Sequence, residues 1–353
     1  MRIRLTSALV APLLVIGAAY ASAQSTWQET REDARQAIRR AAAEAREYYQ
    51  GRNRGAEQSD TLSRKVKIGR DGWASISNIS GNIIVTAGGG DEVSIDAVKR
   101  THGDRSLLGR VEIVIEEHAG RVDVRTEHRP SFFRDNDVSV DYTVVVPEGA
   151  SVELKSISGY VKVTGVKGSV RAQSISGNVT AAGTPRVELA KTVSGDVDLT
   201  GVSYDGNLSA SSISGSIRAT SLKAKSLDVS TVSGDVALRD VSCERFNARS
   251  ISGNIEYSGA LDRNGRYEAN SHSGSVRFTL AGTTGFELNA ASFSGSVRSD
   301  FPLTVGGERN PDIRLGRGRR SGPGSESLQA TFGDGSARLD LHTFSGGIVI
   351  AKK

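Results

Sequence analysis

One six-residue phrase returns ten times along the chain, and it constrains the fold more than any other feature. It reads Ser or Thr; then Ile, Val, His or Phe; then Ser-Gly; then Asn, Asp, Ser, Tyr or Gly; then Val or Ile. Its glycines are Gly81, Gly159, Gly177, Gly195, Gly215, Gly234, Gly253, Gly274, Gly295 and Gly346, with Asn78 replacing the hydroxyl residue in the first copy. From Gly159 to Gly295 the steps are 18, 18, 20, 19, 19, 21 and 21 residues. A period near twenty, carried by β-branched residues and Ser-Gly corners, marks a stacked β architecture. One such strand pair cannot bury its apolar side alone; stacking neighbours at ~4.8 Å closes a continuous core, and eight rungs would span about 38 Å. The expected fold class is therefore all-β: a parallel, β-helix-like solenoid with about 18–21 residues per rung. An irregular β segment and an N-terminal α-helix are expected to precede it.

The strands before each Ser-Gly align as Val152-x-Leu154-x-Ser156, Leu227-x-Val229-x-Thr231 and Tyr267-x-Ala269-x-Ser271. The Ser/Thr column (Ser156, Ser174, Thr192, Ser212, Thr231, Ser250, Ser271, Ser292) reads as a hydrogen-bonded ladder that spaces the rungs. Beside it runs Ile157, Ile175, Val193, Ile213, Val232, Ile251, His272 and Phe293, with Ile79 and Phe344 in the outlying copies. Strict strand alternation places this column on the outer side, as an exposed apolar ladder and a candidate interaction surface. A bend of the chain at the Ser-Gly corner would turn it inward instead. His272 and Phe293 sit more easily on a surface or near an end than in a tightly stacked interior.

Outside the array the chain divides further. Residues 1–23 have the form of a signal peptide: Arg2 and Arg4, an apolar run from Leu9 to Ala19, and Ala21-Ser22-Ala23 before the expected mature start at Gln24. The run is too short to span a bilayer stably, although a retained anchor is the alternative. Residues 24–51 read as an amphipathic helix with a Thr26/Glu29 capping box and Gly51 as its stop. Its balanced charges and small stripe point to docking on protein, this chain or a partner, with Ile38 and Tyr48 buried, rather than to a membrane surface; a free helix serving as a tether is the alternative. Residues 52–64 read as a linker and 65–148 as β without the period, either a small sheet or irregular first rungs, including a hairpin turning at Ala119-Gly120. The solenoid is expected over 149–353, interrupted at 301–326 by a Gly-rich loop. Arg309, Arg314, Arg317, Arg319 and Arg320 make that loop a candidate site for an anionic partner.

Composition limits the function classes. The formal charge of +5 falls to +3 when the segment holding Arg2 and Arg4 is removed, too slight to indicate a nucleic-acid protein. A single cysteine, Cys243, rules out an internal disulfide and reads as a small buried or turn residue. With 5% aromatic residues, the core is expected to be a thin stack of Val, Ile, Leu and Ala.

No constellation of catalytic residues emerges. The position after each glycine holds Tyr160, Asn178, Asp196, Ser216, Asp235, Asn254, Ser275 and Ser296. Asp196 and Asp235 lie two rungs apart, about 10 Å, near the separation an inverting glycosidase uses. Asn, Asp and Ser at a corner more often supply local hydrogen bonds. Gly88-Gly89-Gly90-Asp91 is a lone lookalike of a calcium repeat, the five histidines lack metal-ligand spacing, and no cofactor is expected.

The run Val144-Val145-Val146-Pro147-Glu148-Gly149-Ala150-Ser151-Val152-Glu153-Leu154 leads straight into Ser156-Ile157-Ser158-Gly159. Near the end, Gly333-Asp334-Gly335-Ser336-Ala337-Arg338-Leu339 leads into Thr343-Phe344-Ser345-Gly346. Over residues 66–353 the chain resembles the bacterial putative adhesin domains, exported or envelope proteins. The resemblance implies a β-solenoid in the cell envelope, periplasmic or secreted, and brings no catalytic residues. The function expected is a non-enzymatic binding or scaffold module for an envelope protein or glycan. The alternatives are a polysaccharide-active β-helix enzyme and an envelope-stress accessory protein.

Overall fold

The computed structural model describes residues 57–128, 138–305 and 326–353. Gln58–Lys353 forms one compact unit. The signal segment, the helix expected over 24–51 and all five arginines of the basic loop lie outside the described residues. Apart from the short 3-10 helix Arg105–Arg110, the named elements are strands, and they belong to a single sheet. All-β is the observed class.

The repeats stack as solenoid-like rungs, each called after its corner glycine. Val161, Val179, Val197, Ile217, Val236, Ile255 and Val276 pair in parallel from rung to rung, two residues after the glycine. Before the glycine, Leu154, Ala172, Ala190, Ala210, Val229, Ala248 and Ala269 form a second inner column. These side chains are fully buried or nearly so. Alternation explains it: an apolar residue faces inward at every second position, β-branched after the glycine and mostly alanine before it, and the rung above supplies the surface it lacks. The core is mainly aliphatic, as composition requires. At one level it thickens into a cluster of Phe246, Tyr257, Tyr267 and Phe278, with ring centroids 5.0–6.5 Å apart. The tyrosine hydroxyls escape the cost of burial by donating to backbone carbonyls, Tyr267 to Cys243 at 2.6 Å and Tyr257 to Val241 at 3.1 Å.

Two corners shape each rung. At the repeated glycine the backbones approach so closely that a Cβ on Gly215 would collide with the carbonyl oxygen of Gly195. The second corner lies six residues later, where Gly165, Gly183 and Gly201 adopt φ of 74°, 58° and 67°. Ser221 and Asp240 continue that column with φ of 54° and 56°, a conformation that costs an L residue energy.

Several expectations are corrected. Of the two readings of the 65–148 segment, a small sheet or irregular first rungs, the strands favour the second. Trp73–Ser80 and Ile83–Gly88 form a rung stacked directly on the Gly159 rung. The intervening chain builds the end beyond it: Arg121–His128 and Val138–Pro147 add in parallel, then Val111–His118, Glu92–Thr101 and Gln58–Lys67 add antiparallel. Much of the expected linker is therefore strand, since Gln58–Lys67 begins at residue 58. The hairpin around Ala119-Gly120 is present.

At the other end, the rungs do not follow sequence order. Ala337–Ser345 pairs on one side with Arg266–Ser273 and on the other with Phe286–Ser294. The last rung thus sits between the Gly274 and Gly295 rungs. Glu326–Phe332 then pairs antiparallel with Phe286–Ser294, so this strand is clasped between two strands joined by the turn after Phe332. Antiparallel strands form the outer layer at the first end, and at the second end Glu326–Phe332 covers one side antiparallel while Val297–Ser299 remains a short parallel edge on Ile348–Lys352.

Candidate functional site

The hydroxyl column is a structural ladder. Ser174, Thr192, Ser212 and Thr231 donate to the carbonyls of Gly159, Gly177, Gly195 and Gly215, each on the preceding rung, at 2.8–3.1 Å. Thr343 donates to Gly274 and Ser292 to Gly346, both at 2.9 Å, which follows the spatial order of the rungs and not the sequence order. These side chains are buried. Their inward direction fixes the next residue outward, because the strand keeps its alternation through that residue and breaks it only at the following serine, which is exposed.

That next residue is the apolar ladder, and it faces solvent. Ile157, Ile175, Ile213, Val232 and Ile251 are 40–53% exposed, and Phe344 and Phe293 are 48% and 57% exposed. His272 is exposed as well, and Val193 and Ile79 are half-buried. The bend that would have turned the column inward comes one residue too late. In space the order is Ile79, Ile157, Ile175, Val193, Ile213, Val232, Ile251, His272, Phe344 and Phe293, as the flanking serine pairs record. Nine steps of ~4.8 Å make an apolar ridge about 43 Å long. Its last members stack face to face: His272 on Phe344 at 4.9 Å and 10°, Phe344 on Phe293 at 4.7 Å and 6°. Stacking occupies the inner ring faces with one another, so ring edges line the adjoining surface.

A shallow groove of about 470 Å³ lies beside this aromatic end, lined by Arg249, Asn270, His272, His342, Phe344 and neighbours. One wall is the end of the ladder. The other is Arg249, Asn270 and His342, the end of the column two residues before the ladder, which continues away from the groove through Ser230, Ser211, Lys191, Gln173 and Lys155, paired from rung to rung. Neither column contains an Asp or Glu. The signal for this second column was present in the sequence at a fixed offset from every Ser-Gly, but its mixed residue types hid it.

The column after the glycine does a different job. Asn178 accepts from the Asp196 N–H at 2.9 Å, Asp196 from the Ser216 N–H at 2.8 Å, and Asp235 from the Asn254 N–H at 2.8 Å. These side chains pin each corner to the next. The guanidinium of Arg218, 2.8 Å from Asp196, and the Ser216 N–H hold the Asp196 carboxyl below its usual range. A carboxylate so engaged is a poor general acid, which must stay protonated near neutral pH. Among the described residues, no group of three or more His, Cys, Asp or Glu side chains is placed to hold a metal ion. Cys243 is buried, and burial pushes its thiol up to about 12. No helix of the described residues is long and apolar enough to cross a membrane.

The sequence profile of the Toastrack DUF4097 family matches residues 75–321. No curated protein matches the chain. Among solved structures, a putative cell adhesion protein from Clostridium sporogenes is similar at 11% identity, covering 84% of this chain and 100% of its own, with a TM-score of 0.22. A putative adhesin from Bacteroides fragilis is 12% identical, covering 83% and 97%, with a TM-score of 0.38. A putative lipid binding protein from Parabacteroides distasonis is 13% identical, covering 63% and 90%, with a TM-score of 0.36.

Proposed function

The chain belongs to the Toastrack DUF4097 family, and from that premise we propose that it is an exported, non-enzymatic, adhesin-like binding module of the cell envelope. One observation carries the reading: a continuous ridge of half-exposed Ile, Val and Phe side chains runs along the stack. Monomeric soluble proteins rarely leave so long an apolar strip uncovered without a partner for it. We read the stack as a parallel β-solenoid of 18–21 residues per rung that serves as a rigid support for this strip. Export rests on the residue 1–23 pattern, and N-terminal sequencing of envelope material should return Gln24. The absence of catalysis rests on Asp196 and Asp235, whose carboxylates are occupied by backbone N–H groups.

The test is co-sedimentation of the purified chain with isolated envelope material. The triple variant Ile175→Ser, Ile213→Ser, Ile251→Ser should lose binding while its melting transition stays cooperative and close to that of the parent. Undiminished binding by a folded triple variant would overturn the reading.

A further inference from the structure

We propose that the polar column beside the ladder, together with the groove at its aromatic end, binds an acidic polysaccharide lying parallel to the stack. This deepens the binding-module reading and rests on it. The first observation is the charge pattern of the polar wall. Lys155, Lys191, Arg249 and His342 stand on it, with amides and hydroxyls between them and no carboxylate in either wall. Arg249 and Lys191 are exposed, and neither has an ion-pair partner among the described residues, whereas Lys155 is held by Glu153 at 2.7 Å. In the next column outward, Asp340 is neutralised by Arg338 at 2.9 Å, while Asp228 and Glu268 accept from the amides of Asn247 and Asn270, both at 2.7 Å, and keep their charge.

The second observation is spacing. Counting rungs, the two cations without an ion-pair partner among the described residues, Lys191 and Arg249, stand three rungs or about 14 Å apart on the polar column, and Arg249 lines the groove. An extended chain charged on every sugar unit can meet both at once, whereas a compact anion would engage only one of them.

The third observation is the opposite wall. Sugar rings present both hydroxyls and C–H faces, and sites for them combine apolar surface with a few placed polar groups. Here the methyls of the ladder and the edges of His272 and Phe344 form the apolar wall. Aromatic edges carry the positive part of the ring quadrupole, so they favour an anionic ligand over a neutral one. The groove is open and shallow, so each sugar contributes little. Affinity comes from many repeats engaged at once along a regular array.

The experiment measures binding of the full chain to immobilised polygalacturonate, with dextran as the neutral comparison, at low and raised salt. The expected result is binding to polygalacturonate, weakened by salt, and none to dextran. Lys191→Gln with Arg249→Gln should lower affinity about tenfold or more, while Lys223→Gln with Arg239→Gln, which removes the same charge from other sides of the rungs, should change it less than about twofold. Equal losses in the two double variants, or equal binding to dextran, would overturn the proposal. Envelope binding that depends on the ladder, together with no binding to polygalacturonate, would remove this ligand class and leave the binding-module reading standing.

Discussion

Replacing Gly215 by alanine tests the packing logic of the stack at its centre. A Cβ there would overlap the carbonyl oxygen of Gly195, which already accepts from Ser212 Oγ at 2.9 Å. Reaching van der Waals contact requires the corner to retreat by roughly 1 Å. The Gly195 N–H to Ser214 and Val197 N–H to Ser216 bonds, both 3.0 Å, span the same gap and would stretch with it. Losing three bonds at about 1 kcal/mol each costs about 3 kcal/mol. The reduced freedom of the unfolded chain would return about 0.4–1 kcal/mol, but alanine is also strained at the Gly215 φ of 157°, which offsets that return, so the net destabilisation is about 3 kcal/mol. Gly89→Ala is the control, because nothing lies within 4 Å of its Cβ position, and it should stay within about 0.5 kcal/mol of the parent. Urea unfolding followed by circular dichroism reads both. A Gly215→Ala protein as stable as the control would refute the claim that glycine is required by contact between rungs.

Other perturbations probe different parts of the account. Val197→Asp puts an unpaired carboxylate at a fully buried position and should cost several kcal/mol, or prevent folding, in the same urea assay. Asp240→Gly relieves a positive φ of 56° and should stabilise by about 0.5–1 kcal/mol; a loss of stability would show that the Asp240 side chain matters more than its backbone. Asp196 has a folded pKa below its unfolded value, so its contribution is present at neutral pH and fades as pH falls through the folded pKa. Asp196→Asn should therefore flatten the stability profile below about pH 4 and leave its shape above that unchanged.

The repeated Ser-Gly phrase made the all-β class, the inward Val and Leu columns and the hydroxyl ladder legible, because each follows from period and alternation alone. The direction of the apolar ladder was not legible. It depends on whether the chain bends before or after that residue, and the glycine carbonyl that the buried hydroxyl reaches is a contact between rungs. Rung order was equally hidden. The Gly274, Gly295 and Gly346 phrases offer near-identical edges, so nothing local shows that the last enters between the other two. The Gly81 rung escaped the period because the chain between it and the Gly159 rung goes off to build one end of the stack. The second corner had a signal in Gly165, Gly183 and Gly201, each six residues after a repeat glycine, but Ser221 and Asp240 break that pattern.

The central claim is that the ladder is the face that meets the partner. Because Cys243 is buried with a raised thiol pKa, a cysteine introduced on the surface can be labelled selectively. An environment-sensitive fluorophore at Ile213→Cys should become shielded from a soluble quencher when isolated envelope material is added, while the same probe at Lys223→Cys, on another side of the rung, should stay accessible. Shielding at Lys223 with none at Ile213 would contradict the account.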